Sequence, residues 1–172
     1  AKLDRIGRAL RQFDLVCTFT EAERRIYIER YALRPDQIRV VPIHTDETEG
    51  YAQYPDESPR DEPYVLSLGS PNRTFKPLAE ACKRLSIPLV IMTRPWHEAD
   101  DLDELRALGA EVITDADKMR ALTCLKHARV AAMDFLSTDL PGGYTTLVHA
   151  MFMRTPFLVS DCLSLIHISE PT

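Results

Sequence analysis

The sequence has no apolar run close to the roughly 20 residues that span a bilayer as a helix. No two cysteines stand at C-x-x-C spacing, and none of the five histidines has ligand spacing with a cysteine or with a second histidine, so no zinc or other metal site is expected. There is no basic excess either. The formal net charge is −5 and the Lys and Arg residues are dispersed, which argues against a non-specific nucleic-acid binder and against a polybasic membrane anchor. The start, "AKLDRIGRALRQFD", is charged and amphipathic and does not read as a signal peptide. It carries no initial Met, and the expectation is a chain cut at this end. The four cysteines, Cys17, Cys82, Cys124 and Cys162, each lie in an apolar segment. Buried free thiols in a reducing, cytoplasmic compartment are expected.

What is present is ample material for a core. Hydrophobic residues make up 45% of the 172, and the length fits one domain or pieces of two. In "LDRIGRALRQF", Leu3, Ile6, Leu10 and Phe13 recur at helical spacing. "DLVCTF" follows as a short buried strand. "TEAE" is a capping box with Thr20 as N-cap and Glu23 three residues on, and it opens a helix to about Tyr31. "RPDQIRVVPI" gives a turn and a strand ending at Pro42. Residues 46–63, "DETEGYAQYPDESPRDEP", are polar, rich in Pro and acids, and without periodicity. They read as a linker between residues 1–45, taken as the remnant of one domain, and residues 64–162, taken as another.

Beyond the linker, strands and helices alternate. The strands are "YVLSLG", "PLVIM", "EVIT", "RVAAMDF" and "FLVS". The helices are "TFKPLAEACKRL", "DLDELRAL", "DKMRALTCLKHA" and the one after "LPGGY". In the first of these Phe75, Leu78, Ala79, Cys82 and Leu85 share a face, and Gly109 caps the second. Such alternation predicts an α/β fold with a doubly wound parallel sheet. Ligands of these sheets bind beyond the carboxyl ends of the strands, here residues 69–73, 93–97, 114–118 and 136–146. The run "LSLIHISEPT" breaks the pattern. It resembles the translated read-through of a sequencing adapter, so residues 163–172 are expected to be non-native and to hold no packed helix.

The stretch "DLPGGYTTLVHAMFMRTPFLVSD" places two glycines directly before an apolar helix. Glycines allow close approach of backbone N–H groups to a ligand, and a helix N-terminus carries partial positive charge. That makes an anion site. It is equally a way of packing a helix on a sheet, and the stretch alone leaves both readings open.

Three segments together resemble the GT-B-type retaining glycosyltransferases (glycosyl transferases group 1, family 4-like). "FDLVCTFTEAERRIYIERYALRPDQIRVVPIHTD" resembles the end of their N-terminal domain, closing at Asp46. "YVLSLGSPNRTFKPLAEACKRL" resembles the first strand, phosphate loop and helix of their donor-binding domain. "ARVAAMDFLSTDLPGGYTTLVHAMFMRTPFLVSD" resembles the segment that grips the donor sugar and ribose. The resemblance covers about residues 10–161. It implies two Rossmann-like doubly wound sheets, truncated at both ends.

The same resemblance implies site residues. Arg73 falls where the family usually has a Lys that binds the donor diphosphate. Lys76 is one turn further on and reads first as a surface lysine. A second family cation, an Arg some residues earlier, has no counterpart in "GSP". Gly142, Gly143 and Tyr144 match the loop before the helix, and their N–H groups, with those of Thr145 and Thr146, would face the sugar and diphosphate. The family's two acids, separated by seven residues, are replaced by Pro141 and His149. His149 has two readings, a ribose hydrogen bond or plain packing, and Asp139 lies near enough to stand in for the first acid. The base would sit near Thr93, Arg94 and residues 112–114, with Trp96 and His97 at the mouth.

The activity so implied is transfer of a sugar from a nucleotide-diphosphate sugar to an acceptor hydroxyl of a glycan, lipid or small molecule, with retention and without a metal cofactor. No catalytic residue is assigned. Peripheral membrane contact stays open, as do two alternatives, a nucleotide-sugar epimerase of the same fold and a non-catalytic relative that binds a nucleotide or partner.

Overall fold

The structure is a computed structural model that describes residues 2–45, 50–137 and 142–160. Asp46, Asp139, Pro141, Cys162 and the run at 163–172 lie outside the described residues.

The first unit holds α1 (Lys2–Leu10), β1 (Val16–Thr18), α2 (Glu21–Tyr31) and β2 (Ile38–Val40). β1 and β2 pair in parallel, with Val16 opposite Ile38. Val16, Leu33 and Ile38 form a small core under Leu10, Tyr27 and Ile28. The Thr20 hydroxyl accepts from the Glu23 N–H at 3.1 Å. The Glu23 carboxylate reaches back in return, but takes the Phe19 N–H at 2.7 Å. The first bond satisfies a donor that a helix start leaves open, and the second ties down the residue before the cap. Along β1 the side chains alternate, with Val16 and Thr18 inward. Cys17 therefore points outward and is exposed, against the expectation of a buried thiol.

Residues 50–63 have the composition of a linker and are mostly exposed, but one of them is anchored. Tyr54 is 2% exposed and belongs to the main core. Lys126 Nζ donates to the Tyr54 carbonyl and to Asp56, each at 2.7 Å, and lies 4.2 Å from the Tyr51 ring centre. Periodicity cannot reveal such an anchor, because the contacts that bury Tyr54 are with residues distant in the chain.

The second unit contains β3 (Val65–Leu68), β4 (Arg73–Thr74), α3 (Lys76–Leu85), β5 (Leu89–Met92), α4 (Leu102–Ala107), β6 (Glu111–Ile113), α5 (Lys118–His127), β7 (Val130–Phe135), α6 (Tyr144–Met153) and β8 (Phe157–Val159). Across the sheet the order is β8, β7, β3, β5, β6, and every neighbouring pair in that row is parallel. In chain order of those five strands this reads 5-4-1-2-3, the doubly wound arrangement, with its topological switch between β3 and β7. The α/β class and the parallel pairing of "YVLSL" with "PLVIM" are as expected from the sequence.

The sheet is buried on both faces, as a parallel sheet must be. Leu89 and Ile91 of β5 pack under α3 and α4 with Phe75, Ala79 and Leu105. Val90 and Met92 turn to the other face and meet Leu66, Leu122, Leu125, Ala150 and Met153 under α5 and α6. Each such side chain contributes on the order of 1.5–3 kcal/mol when fully buried. Burial also pushes the Cys82 and Cys124 thiols up, which keeps them protonated and unreactive. Leu85, expected on the buried face of α3, is 62% exposed. It is the last residue of that helix before Ser86 turns left-handed, and there it projects past the sheet.

Candidate functional site

The strands β3, β5 and β6 end at one edge, and a cleft of about 510 Å³ opens there. Gly69, Ser70 and Pro71 follow β3 and form one wall. Thr93, Arg94 and Trp96 follow β5 and form the opposite wall. Lys118 opens α5, and Thr145, Thr146 and His149 reach in from the first turns of α6. The cleft thus lies where the loops of a doubly wound sheet diverge.

Helix α6, like α3, starts without a side-chain cap of its own, whereas the other helices between strands have one. Thr20 caps α2, Asp101 caps α4 and Asp117 caps α5, each through a side-chain oxygen. The N-cap of α6 is Gly143, at φ 81°, and gives no side-chain bond. Glycine is required there for two reasons. A β-carbon would be strained at that φ. It would also stand 2.8 Å from Met133 Cε and 2.9 Å from Phe135 Cζ.

Arg73 lies on the other side of this glycine. It lies on β4, a two-residue strand antiparallel to β7, with Arg73 opposite Phe135. The residue is 4% exposed. Its guanidinium stacks on the Phe135 ring at 4.3 Å and approaches the carbonyls of Leu68 and Pro71 at 3.4 and 3.5 Å. A β-carbon at Gly143 would lie 3.2 Å from Nη2, and one at Gly142 would lie 3.9 Å from Nη1. A cation and a helix N-terminus therefore stand side by side, and their potentials add. An anion at the edge of the sheet is what such a pair attracts.

The expected residues divide into three groups. Thr145, Thr146 and His149 line the cleft itself. Arg73, Gly142 and Gly143 form its flank, behind the turn at Gly69. Tyr144 faces the opposite way. It is buried with Met133, Phe135 and Leu147, and Phe19 of the first unit meets its ring edge-on at 5.4 Å. Among the residues expected at the mouth, Trp96 lines the cleft and is 68% exposed, with the Arg94 guanidinium 5.8 Å from its ring. His97 does not line it. Its side chain is buried in a 2.9 Å contact with Asp100.

Two features of the cleft go beyond the roles the sequence reading assigned, a second cation and a buried hydroxyl. Lys118 supplies a cation from α5, two strands away from the loop where a second cation was sought. Lys76, by contrast, is held at 2.6 Å by Glu104. Thr93 buries its hydroxyl at the foot of the Trp96 loop with no hydrogen-bond partner among the described residues, and buried hydroxyls ordinarily have one. The sequence marks Lys118 only as part of the strand end at 114–118, and Thr93 also through the resemblance, as a neighbour of the base. Among the described residues no three His, Cys, Asp or Glu side chains converge as a metal site would require, and no helix is long and apolar enough to cross a membrane.

No protein-family model matches the sequence, and no curated protein matches it. Solved structures do. A glycosyltransferase from Rickettsia africae ESF-5 superposes with a TM-score of 0.69 at 10% identity, over 97% of this chain and 51% of its own. AviGT4, a glycosyltransferase involved in avilamycin A biosynthesis, gives 0.65 at 22% identity, over 88% of this chain and 46% of its own. The apo form of WaaB, a lipopolysaccharide outer core galactosyltransferase, gives 0.58 at 19% identity, over 92% and 46%. The chain thus spans about half the length of these proteins. At such identities the likeness is one of fold, and the fold is that of these glycosyltransferases.

Proposed function

We propose that the chain is the donor-binding part of a glycosyltransferase that takes its sugar from a nucleoside-diphosphate donor. The observation that carries this is the placement of Arg73 beside the glycine start of α6, at the switch point of the sheet. The fold shared with solved glycosyltransferases supports the reaction class.

In this reading the diphosphate lies against the first turn of α6, at Thr145 and Thr146, with Arg73 behind Gly143. An acceptor hydroxyl attacks the anomeric carbon. The bond from that carbon to the diphosphate oxygen breaks, and the leaving group takes the electron pair and accepts the proton of the attacking hydroxyl. Donors and cations already in place stabilise that growing charge without having to reorganise. Lys118 serves as the second cation. His149, in the place of an acid, donates or accepts a hydrogen bond at the sugar or ribose. The reading uses protein cations and not a metal. By resemblance to the retaining GT-B enzymes, transfer would proceed with retention, in the cytoplasm, to an acceptor bound mainly outside this chain.

The presence of His149 where the resemblance places a carboxylate favours a second reading, a relative that binds the nucleotide without transferring sugar. Calorimetric titration of the intact protein with uridine, guanosine and adenosine diphosphates tests the first step. Binding of one of them at micromolar concentration is expected, and binding of none overturns the proposal. Release of free diphosphate from the matching nucleotide sugar then separates transferase from binding module.

A further inference from the structure

Helix α3 has no cap of its own. Phe75 stands at its N-cap without a side-chain bond to give, while the first turn of any helix leaves N–H groups without an intrahelical acceptor. The acceptor comes from 25 residues further along the chain. Asp100 Oδ2 takes the Phe75 N–H at 2.8 Å, and Oδ1 takes the Thr74 hydroxyl at 3.0 Å and the Lys76 N–H at 3.4 Å. His97 Nε2 lies 2.9 Å from Oδ2. An ionised carboxylate only accepts, so this nitrogen carries the proton. The two side chains are 1% and 5% exposed, and the His97 ring packs on Phe75 at 4.8 Å.

This clip joins one wall of the cleft to its flank. His97 and Asp100 belong to the loop after β5, which presents Thr93, Arg94 and Trp96. The groups they hold belong to the end of β4 and the start of α3, and β4 carries Arg73. Thr93, at the foot of the same loop, buries a hydroxyl that no described residue satisfies.

We propose that His97 and Asp100 are positioning residues that fix the Trp96 loop relative to Arg73 and so preset the cleft for a nucleoside diphosphate. The inference rests on the donor reading above. A loop already held in its bound geometry spares the ordering cost that a free loop would bring to binding.

Trp96 is the sole tryptophan, so its emission reports on this loop alone. The test compares wild type, Asp100→Ala, His97→Ala and His97→Gln, each checked as folded by circular dichroism. The probe is whichever of uridine, guanosine or adenosine diphosphate the wild type binds best. In Asp100→Ala and His97→Ala, affinity is expected to fall about tenfold or more, and acrylamide quenching of unliganded Trp96 should rise as the loop loosens. His97→Gln, whose amide N–H reaches the same carboxylate, should stay within about threefold of wild type. If Asp100→Ala does not fold, His97→Ala and Thr74→Val, which removes one of the donors to Asp100, carry the same two readouts. Wild-type affinity in a folded Asp100→Ala or His97→Ala chain overturns the proposal, even where quenching changes, because the pair would then be only a helix cap. A wild type that binds no nucleoside diphosphate gives a different result and overturns the donor reading itself.

Discussion

Gly143 leaves the space that the Arg73 guanidinium fills. A β-carbon on Gly143 would come within 3.2 Å of Nη2 and within 3 Å of Met133 and Phe135. The backbone there sits at φ 81°, a region where any other residue costs on the order of 1–3 kcal/mol. Gly143→Ala should therefore lower stability and also push Arg73 or the α6 start out of place. Thermal melts and nucleotide titration should both move, and a folded variant with unchanged affinity would separate the glycine from the site.

Arg73 itself should matter more for binding than its burial alone would suggest. A charge-assisted bond is worth roughly 1.5–3 kcal/mol, so Arg73→Ala should weaken nucleoside diphosphate binding about tenfold to a hundredfold. Ile91, fully buried in β5, is the control. Ile91→Ala should cost about 2–5 kcal/mol of stability and leave affinity alone in the folded fraction. Equal affinity in wild type and Arg73→Ala would remove this residue from the donor site.

Acid should loosen the clip at α3. Burial opposes the charge on Asp100, but hydrogen bonds from His97, Phe75, Thr74 and Lys76 outweigh it and hold the carboxyl below its usual range. A depressed folded value means that the stabilisation is fully present above the ordinary carboxylate pKa. It is lost as pH falls through the lower folded value. Wild type should thus lose stability in this acid window faster than Asp100→Asn, which has no charge to lose. Parallel curves from pH 6 to pH 2 would show that the four bonds do not depend on the carboxylate charge.

Much of the fold was legible because it follows local rules. The alternation of apolar runs with periodic segments gave the parallel sheet, and Thr20 with Glu23 marked the start of α2. What stayed hidden was non-local. Asp100 caps a helix that begins 25 residues before it, which no spacing rule registers. Tyr54 enters the core from an acidic, proline-rich segment because Lys126 pins the chain around it. β4 is two residues long and exists only through its pairing with β7. In the site, the glycine start of α6 and Arg73 were visible as motifs. The cation from Lys118 was not, because the fold and not the chain brings α5 next to the loop after β3.

Lys118 and Lys76 offer the sharpest contrast between a cation in the site and one near it. Lys118 is exposed and Lys76 half-buried, and both stand at the start of a helix at the same edge of the sheet. Lys118 lines the cleft and Lys76 is not among the residues that line it; Lys76 pairs with Glu104 at 2.6 Å, which holds its ammonium in the charged form. An exposed cation acts through screened electrostatics, so its loss should weaken diphosphate binding only several-fold, on the order of 1 kcal/mol. That loss should shrink as salt is raised toward 1 M, where the Debye length falls to about 3 Å. Lys118→Ala is therefore expected to bind three- to tenfold more weakly at low salt and nearly as well as wild type at high salt. Lys76→Ala should bind as wild type at both. Titrations at two salt concentrations decide it. A Lys76→Ala defect larger than that of Lys118→Ala would move the second cation back to the start of α3 and redraw the path of the diphosphate along that wall.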